Sequence, residues 1–285
     1  METFVLNLLN GLSWGMLLFL ISAGLSTVFG VMGILNFAHG SFYMIGAYLC
    51  MEIMHIVPNF WLGLIFAPIG VAILGIIVEK TLLNKIYNRD VTFQLLLTFA
   101  ILLILDDAVR LIWGAGYHIV DPPKILSGVF HVFSNTYPVY RVFIIVMGPV
   151  VGIGLWAFFH YTKYGKIFRA AAMDREMAEG IGLNVPAIFT AVFALGTYLA
   201  GVGGALAAPF QSVAPSMGEK IIIESFIVVV VGGLGSFPGA FVGALMLGLL
   251  ESFGTELIGE IQMALPYMLL ALILLFKPTG LFGEK

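Results

Sequence analysis

Nine long apolar runs, joined by short polar or glycine-rich connections, decide what this chain can fold into. They fall at 11–30, 37–54, 60–78, 92–113, 141–160, 186–208, 221–235, 238–256 and 263–276. A helix that crosses the hydrocarbon core of a bilayer needs about 20 residues, and most of the runs reach that length. The runs 221–235 and 263–276 fall short, which predicts that one of them is broken or re-entrant. Membrane-barrel strands would alternate in polarity over about ten residues; these runs are continuous and too long. The expected fold is an all-α integral membrane protein, a polytopic helical bundle of eight or nine membrane segments with broken or re-entrant helices. It occupies a single transmembrane domain over residues 1–285. Only 10% of the residues are charged, against about 25% in a soluble domain, so the chain cannot cover a water-facing surface.

The basic residues orient the bundle. Lys80, Lys85 and Arg89 sit in the connection 79–91, and Lys163, Lys166, Arg169 and Arg175 in the connection 161–185. Both are expected on the cytoplasmic side, and the two spans between them make those assignments agree. The connection 114–140, with Lys124, Pro122, Pro123, Gly128 and Pro138, is then an irregular outer loop. The C-terminus, with Lys277 and Lys285, is expected inside. Nine spans would put the N-terminus outside, and no Lys or Arg precedes Lys80. Without a basic n-region, no cleavable signal is expected.

Within this apolar chain, "VMGILNFAHGSFYMIGAYL" places Asn36 and His39 among Gly33, Gly40 and Gly46. Two readings stand. Asn36 is a good helix-capping residue at an interface; alternatively the segment is a broken helix lining a polar pathway, since non-helical backbone survives at membrane depth only where protein or water satisfies it. A weak internal repeat supports the second: "VMGILNF" from Val31 matches "VGGLGSF" from Val231 at Val31/Val231, Gly33/Gly233 and Phe37/Phe237, and duplicated broken helices flank transport pathways. Asn36, His39, Gly40, Gly233 and Ser236 are the residues expected to border the substrate pathway. The pairs Gly11/Gly15, Gly148/Gly152 and Gly239/Gly243 have the spacing that lets helices approach closely in lipid.

Other polar residues have blander readings. Asp106 and Arg110 can pair on one helix face, beside Asp107, near an outer helix end. Glu52, Glu224 and Glu251 also lie near predicted span ends. Cys50 alone cannot form an internal disulfide and is expected as an apolar packing residue. No zinc-hydrolase, nucleophile-elbow or phosphate-loop motif occurs. No catalytic residue, metal or cofactor is expected, and without a basic patch no nucleic acid.

The connection "YTKYGKIFRAAAMDREMAEGIGLNV" is more ordered in pattern than a linker. Its centre uses strong helix formers and Gly180 can end the helix. It is expected as a short charged cytoplasmic helix that docks on another protein. Ala170, Ala171 and Ala172 keep one region thin, Arg169, Asp174, Arg175, Glu176 and Glu179 surround it, and Gly180 and Gly182 permit a sharp return to the next span.

Four segments, in order, carry a resemblance: "GILNFAHGSFYMIGAY", "GKIFRAAAMDREMAEGIGLNV", "VVGGLGSFPGAFVGALMLGLLE" and "KPTGLFG". With them nearly the whole chain resembles the permease subunits of ABC importers for branched-chain amino acids, and the shorter permease of the pair in particular. The resemblance implies a non-catalytic subunit of a prokaryotic inner membrane that forms the translocation pathway. Its implied partners are a second related permease, two ABC ATPase subunits that hydrolyse ATP, an extracytoplasmic solute-binding protein, the amino-acid substrate and membrane lipid. Similar permeases serve urea and short amides. A self-sufficient channel or secondary transporter, using Asp106, Asp107 and Glu224 as proton relays, is the competing class.

Overall fold

Each apolar run becomes a helix. A computed structural model describes residues 1–87 and 89–283; Lys285, expected at the cytoplasmic end, lies outside the described residues. The helices are α1 (Glu2–Met32), α2 (His39–Ile56), α3 (Phe60–Thr81), α4 (Val91–Trp113), α5 (Val139–Tyr161), α6 (Lys163–Met173), α7 (Arg175–Gly180), α8 (Val185–Ala207), α9 (Met217–Gly232), α10 (Phe237–Ile258) and α11 (Leu265–Phe276). Of these, α1, α3, α5, α8 and α10 are long and apolar enough to cross a membrane. The two short runs give the two short members, α9 with 16 residues and α11 with 12. Side-chain caps start several helices: Asn59 accepts from the Trp61 amide at 3.0 Å, Asn184 from Ala187 at 3.1 Å and Ser236 from Gly239 at 3.2 Å.

Lipid is as apolar as the side chains it touches, so burial alone does not drive these helices together; close packing does. All three predicted glycine pairs serve that end. Gly11 and Gly15 of α1 lie on Gly248 and Ala244 of α10, Gly148 and Gly152 of α5 on Met16 and Phe19 of α1, and Gly239 and Gly243 of α10 on Gly232 and Val228 of α9. In the same way Gly46 of α2 meets Gly201 of α8, a Cβ there lying 2.7 Å from the Gly201 Cα. Helix α1 is the hub, buried along most of its length from Gly11 to Val28. The outer faces read in reverse: Ile65, Ile69, Ile73 and Ile77 form an exposed stripe on α3, as Val146, Val150 and Ile153 do on α5.

The connections sort to two ends. At one, Ser134 donates to Glu2 at 3.3 Å, Arg141 bonds Asn10, and His118 pairs with Val213. At the other, the amides of Leu281 and Phe282 donate to Val231 and Gly232, both at 2.8 Å. That second end carries Lys80, Lys85, Arg89, Lys163, Lys166, Arg169, Arg175 and Lys277.

Three expectations are corrected. The outer connection is not wholly irregular: β1 (Val129–Val132) and β2 (Asn135–Pro138) pair as an antiparallel hairpin. The charged helix expected around 169–182 begins at Lys163, where Thr162 caps it, and is cut in two at Asp174, which ends α6 and caps α7 through the Met177 amide at 2.9 Å. Glu224 does not lie at a span end. Helix α9 starts earlier than its apolar run, at Met217, and Glu224 sits in mid-helix with 6% exposure. The i,i+4 pair expected on α4 is present, with Arg110 2.7 Å from Asp106.

Candidate functional site

The chain leaves α1 through Gly33, whose φ of 69° suits glycine and whose amide closes the helix on the Phe29 carbonyl at 2.8 Å. It then runs without helical bonds over 33–38 and turns back inward. Thr98 of α4 donates to the Leu35 carbonyl at 3.3 Å, and His39 Nε2 lies 3.1 Å from the Ile21 carbonyl of α1. At a rise of about 1.5 Å per residue, Ile21 lies about 16 Å from the Met32 end of α1. The hydrocarbon core is about 30 Å thick, so the break ends near its middle.

Asn36 does not cap α2. Ala38 holds that position and makes no side-chain cap bond. Asn36 is fully buried with both amide atoms unpartnered, and His39 is fully buried with Nδ1 unpartnered. The capping reading is therefore not met, and the segment is a non-helical break between α1 and α2. Leaving such groups unsatisfied costs about 1–3 kcal/mol each. Asn36→Ala is therefore expected to hold or raise thermal stability, where loss of a cap would lower it by about 1 kcal/mol; thermal unfolding of the purified chain decides the sign.

Helix α9 starts where α2 starts. A Cβ on Gly40 would be built into the Gly218 carbonyl oxygen, and one on Gly218 would lie 2.8 Å from the Gly40 carbonyl oxygen. Two helix N-termini thus abut within the bundle while their helices run apart, and each carries partial positive charge. The second break repeats the first. Helix α9 ends at Gly232 as α1 ends at Met32, Gly233 follows with φ 107°, and Ser236 caps the next helix. The two breaks touch, since a Cβ on Gly30 would lie 3.2 Å from the Gly235 Cα. The carboxy-terminal segment closes over the second: a Cβ on Gly233 would meet the Gly283 backbone.

Helices α6 and α7 lie against this seam. Phe168, Ala171 and Ala178 are buried in a cluster with Val185, Phe189 and Val192 of α8, against which Val31 and Met32 also pack. Ala171 therefore faces its own chain, whereas Ala172 is exposed and Ala170 half-buried. Arg169 and Ala172 line a cavity of about 330 Å³ with Gly30, Val31, Gly235 and Phe237. Arg175 pairs with Glu179 at 3.3 Å and stands 5.4 Å over the Phe189 ring. Phe189 packs edge-on to Tyr87, whose hydroxyl donates to buried Glu79; Thr190 donates to the other Glu79 oxygen at 2.7 Å. Burial first, and then the bond to Glu79, push the Tyr87 hydroxyl pKa up, which keeps it a donor. Gly180 ends α7, and Gly182 follows with φ 86°. The segment exposes Tyr164, Met173, Met177 and Ile181.

Sequence reasoning missed Glu79, Tyr87, Trp14, Gln211 and Lys220. Gln211 donates to the hydroxyl of fully buried Tyr43 at 2.8 Å. Lys220 reaches Glu224 at 3.7 Å and stands 5.9 Å from the Trp14 ring centre. These residues come from separate helices and connections and share no motif.

Comparison with known proteins places these features in context. Residues 7–276 match the family model described as "Branched-chain amino acid transport system / permease component". The high-affinity branched-chain amino acid transport system permease protein LivH of Salmonella typhimurium is 30% identical over 99% of this chain and 96% of its own length. The corresponding protein BraD of Pseudomonas aeruginosa is 32% identical over 98% and 95%. The fructose import permease protein FrcC of Rhizobium meliloti is 33% identical over 42% of this chain and 35% of its own. No solved structure matches this chain.

Proposed function

The chain belongs to the branched-chain amino acid transport system permease component family, and from that premise we propose that it forms the translocation pathway of an ATP-driven amino-acid importer. The observation that carries the reading is similarity to LivH and BraD along nearly the full length of all three chains. ATP hydrolysis falls to two separate ABC subunits, delivery to an extracytoplasmic solute-binding protein, and the other wall of the pathway to a second permease. The membrane is the inner membrane of a prokaryote, with the lysine- and arginine-rich end in the cytoplasm.

The geometry supports a mechanism. Helices α6 and α7 and the residue that follows them expose Met173, Met177 and Ile181 where no apolar span requires it, a surface suited to the ATPases. The same helices pack on the end of α1 and line the cavity where the two breaks meet. A pull on α6 and α7 therefore reaches the Gly30–Gly235 seam. Opening that seam would bring water or substrate to Asn36 and His39, and the hydrogen bonds then formed would offset part of the cost of opening.

Proteoliposomes holding this chain, its partner permease and the ATPases are expected to accumulate leucine when ATP and the binding protein are supplied. The chain alone is expected to pass none; ATP-independent flux through it would make it a channel. For orientation, Lys124→Cys is expected to react with an impermeant thiol reagent on intact cells and Arg175→Cys is not. Cys50 is fully buried and stays silent.

A further inference from the structure

Two adjoining cavities of about 400 Å³ each open at the end of the bundle that holds the N-terminus. That size lies in the range of small-molecule sites, about 300–1,000 Å³. They share Lys220, Glu251 and Gln262. The wider one is walled by Asn10, Trp14, Arg141 and Gln211, the deeper one by Glu224, Ile223, Ile227, Pro266 and Tyr267. Trp14 stacks on Phe210 at 6.0 Å, with Lys220 5.9 Å from the Trp14 ring centre and Arg141 5.0 Å from that of Phe210, so each ring faces a cation.

Among the described residues that line the deeper cavity, the carboxyl groups of Glu224 and Glu251 share one cation, Lys220. Lys220 reaches only Glu224 Oε1, at 3.7 Å; Oε2 of Glu224 is buried with no hydrogen-bond partner, although the residue is only 6% exposed. A buried carboxyl group with one oxygen unanswered is a place where a charged donor would bind and hold the carboxylate form. The Lys220 side chain is 76% exposed and retains free donors. Gln262 and Tyr267 add polar groups to the wall, and Ile223, Ile227, Met263 and Pro266 make the rest of it apolar.

We propose that this cavity is an amino-acid-binding station of the permease itself. The ligand class is a small zwitterion with an apolar side chain. Its ammonium meets Glu251 and Glu224 Oε2, its carboxylate meets Lys220, and its side chain lies along Ile223, Ile227 and Tyr267. A neutral amide or urea offers neither charge, a carboxylic acid lacks the ammonium that Glu251 and Glu224 would meet, and an amine leaves Lys220 unanswered. The permease thus adds its own selection for amino acids to whatever the solute-binding protein supplies. The proposal rests on the reading of the chain as an amino-acid permease.

The test uses the assembled permease–ATPase complex in nanodiscs, without binding protein, and radiolabelled leucine. Leucinamide, which lacks the carboxylate, and 4-methylpentanoate, which lacks the ammonium, are expected to compete at least about tenfold more weakly than leucine. Glu251→Gln and Lys220→Gln should each weaken leucine binding by a similar factor. Glu251→Gln keeps side-chain shape, and co-elution of the subunits verifies assembly. Equal competition by the two analogues, or wild-type leucine binding in both variants, would overturn the station. So would a wild-type complex that imports leucine with its binding protein but holds none without it, and in that case the transport reading stands. A complete wild-type system that imports no leucine overturns both.

Discussion

Gly40→Ala is expected to abolish uptake and to lower the yield of folded protein. The first turns of α2 and α9 are pressed together at Gly40 and Gly218, and an added Cβ would occupy the Gly218 carbonyl oxygen and lie 2.8 Å from the Ile222 Cβ. Those atoms are backbone and a branched carbon, and neither can swing aside. Overpacking of this kind costs about 1–3 kcal/mol even where side chains give way; here two helices must separate. Their separation also spreads the paired N-termini and shifts His39, the residue before Gly40. Gly33→Ala should do less, because only its φ of 69° resists and nothing lies within 4 Å of a Cβ there. Gly180→Ala, also in open space, should be close to neutral. Fluorescence-detected size exclusion and leucine uptake would rank the three, and a wild-type profile for Gly40→Ala would remove the helix contact from the mechanism.

That contact marks a boundary of what the sequence discloses. The apolar helices were legible because lipid imposes an apolar requirement on every turn, so each run announces itself locally. The two breaks were legible because Gly33 and Gly233 stand at matching places in a short repeat, and both adopt positive φ. Asn36 was readable as a cap only while its depth was unknown; the bonds from His39 to Ile21 and from Thr98 to Leu35 set that depth, and both cross between helices. Trp14, Lys220 and Glu251 come from α1, α9 and α10, and no spacing rule joins them. Glu224 was misplaced because its apolar run starts later than its helix: Met217–Lys220 form a polar first turn that hydropathy does not count. The cut at Asp174 has a local cause that propensity sums hide, since a residue that caps the next helix competes with continuing the previous one.

The same cut shapes what mutation of the proposed coupling segment should do. With α6 and α7 as two short helices hinged at Asp174, inward and outward faces can be perturbed separately. Met173 and Met177 are 88% and 64% exposed and touch nothing in this chain that needs them. Replacing both by Glu should leave the permease folded yet prevent co-purification of the ATPases, with uptake falling at least about tenfold, because buried charge without a partner is costly at an interface. Ala171→Trp acts from the other side. Ala171 is 3% exposed among Phe168, Val185 and Phe189, so an indole must lift α6 from α8 and from the end of α1. The ATPases should still bind and hydrolyse ATP, but hydrolysis should no longer drive uptake. Gly182→Val lies between the two: its φ of 86° is strained for a β-branched residue, at a cost of about 1–3 kcal/mol, and it should weaken coupling without abolishing assembly. Co-purification, ATPase rate and leucine uptake on the same preparations separate these outcomes. If Met173→Glu/Met177→Glu still recruits the ATPases while Ala171→Trp does not, then the face turned toward α8 makes the contact, and the exposed methionines must be assigned to lipid or to the second permease.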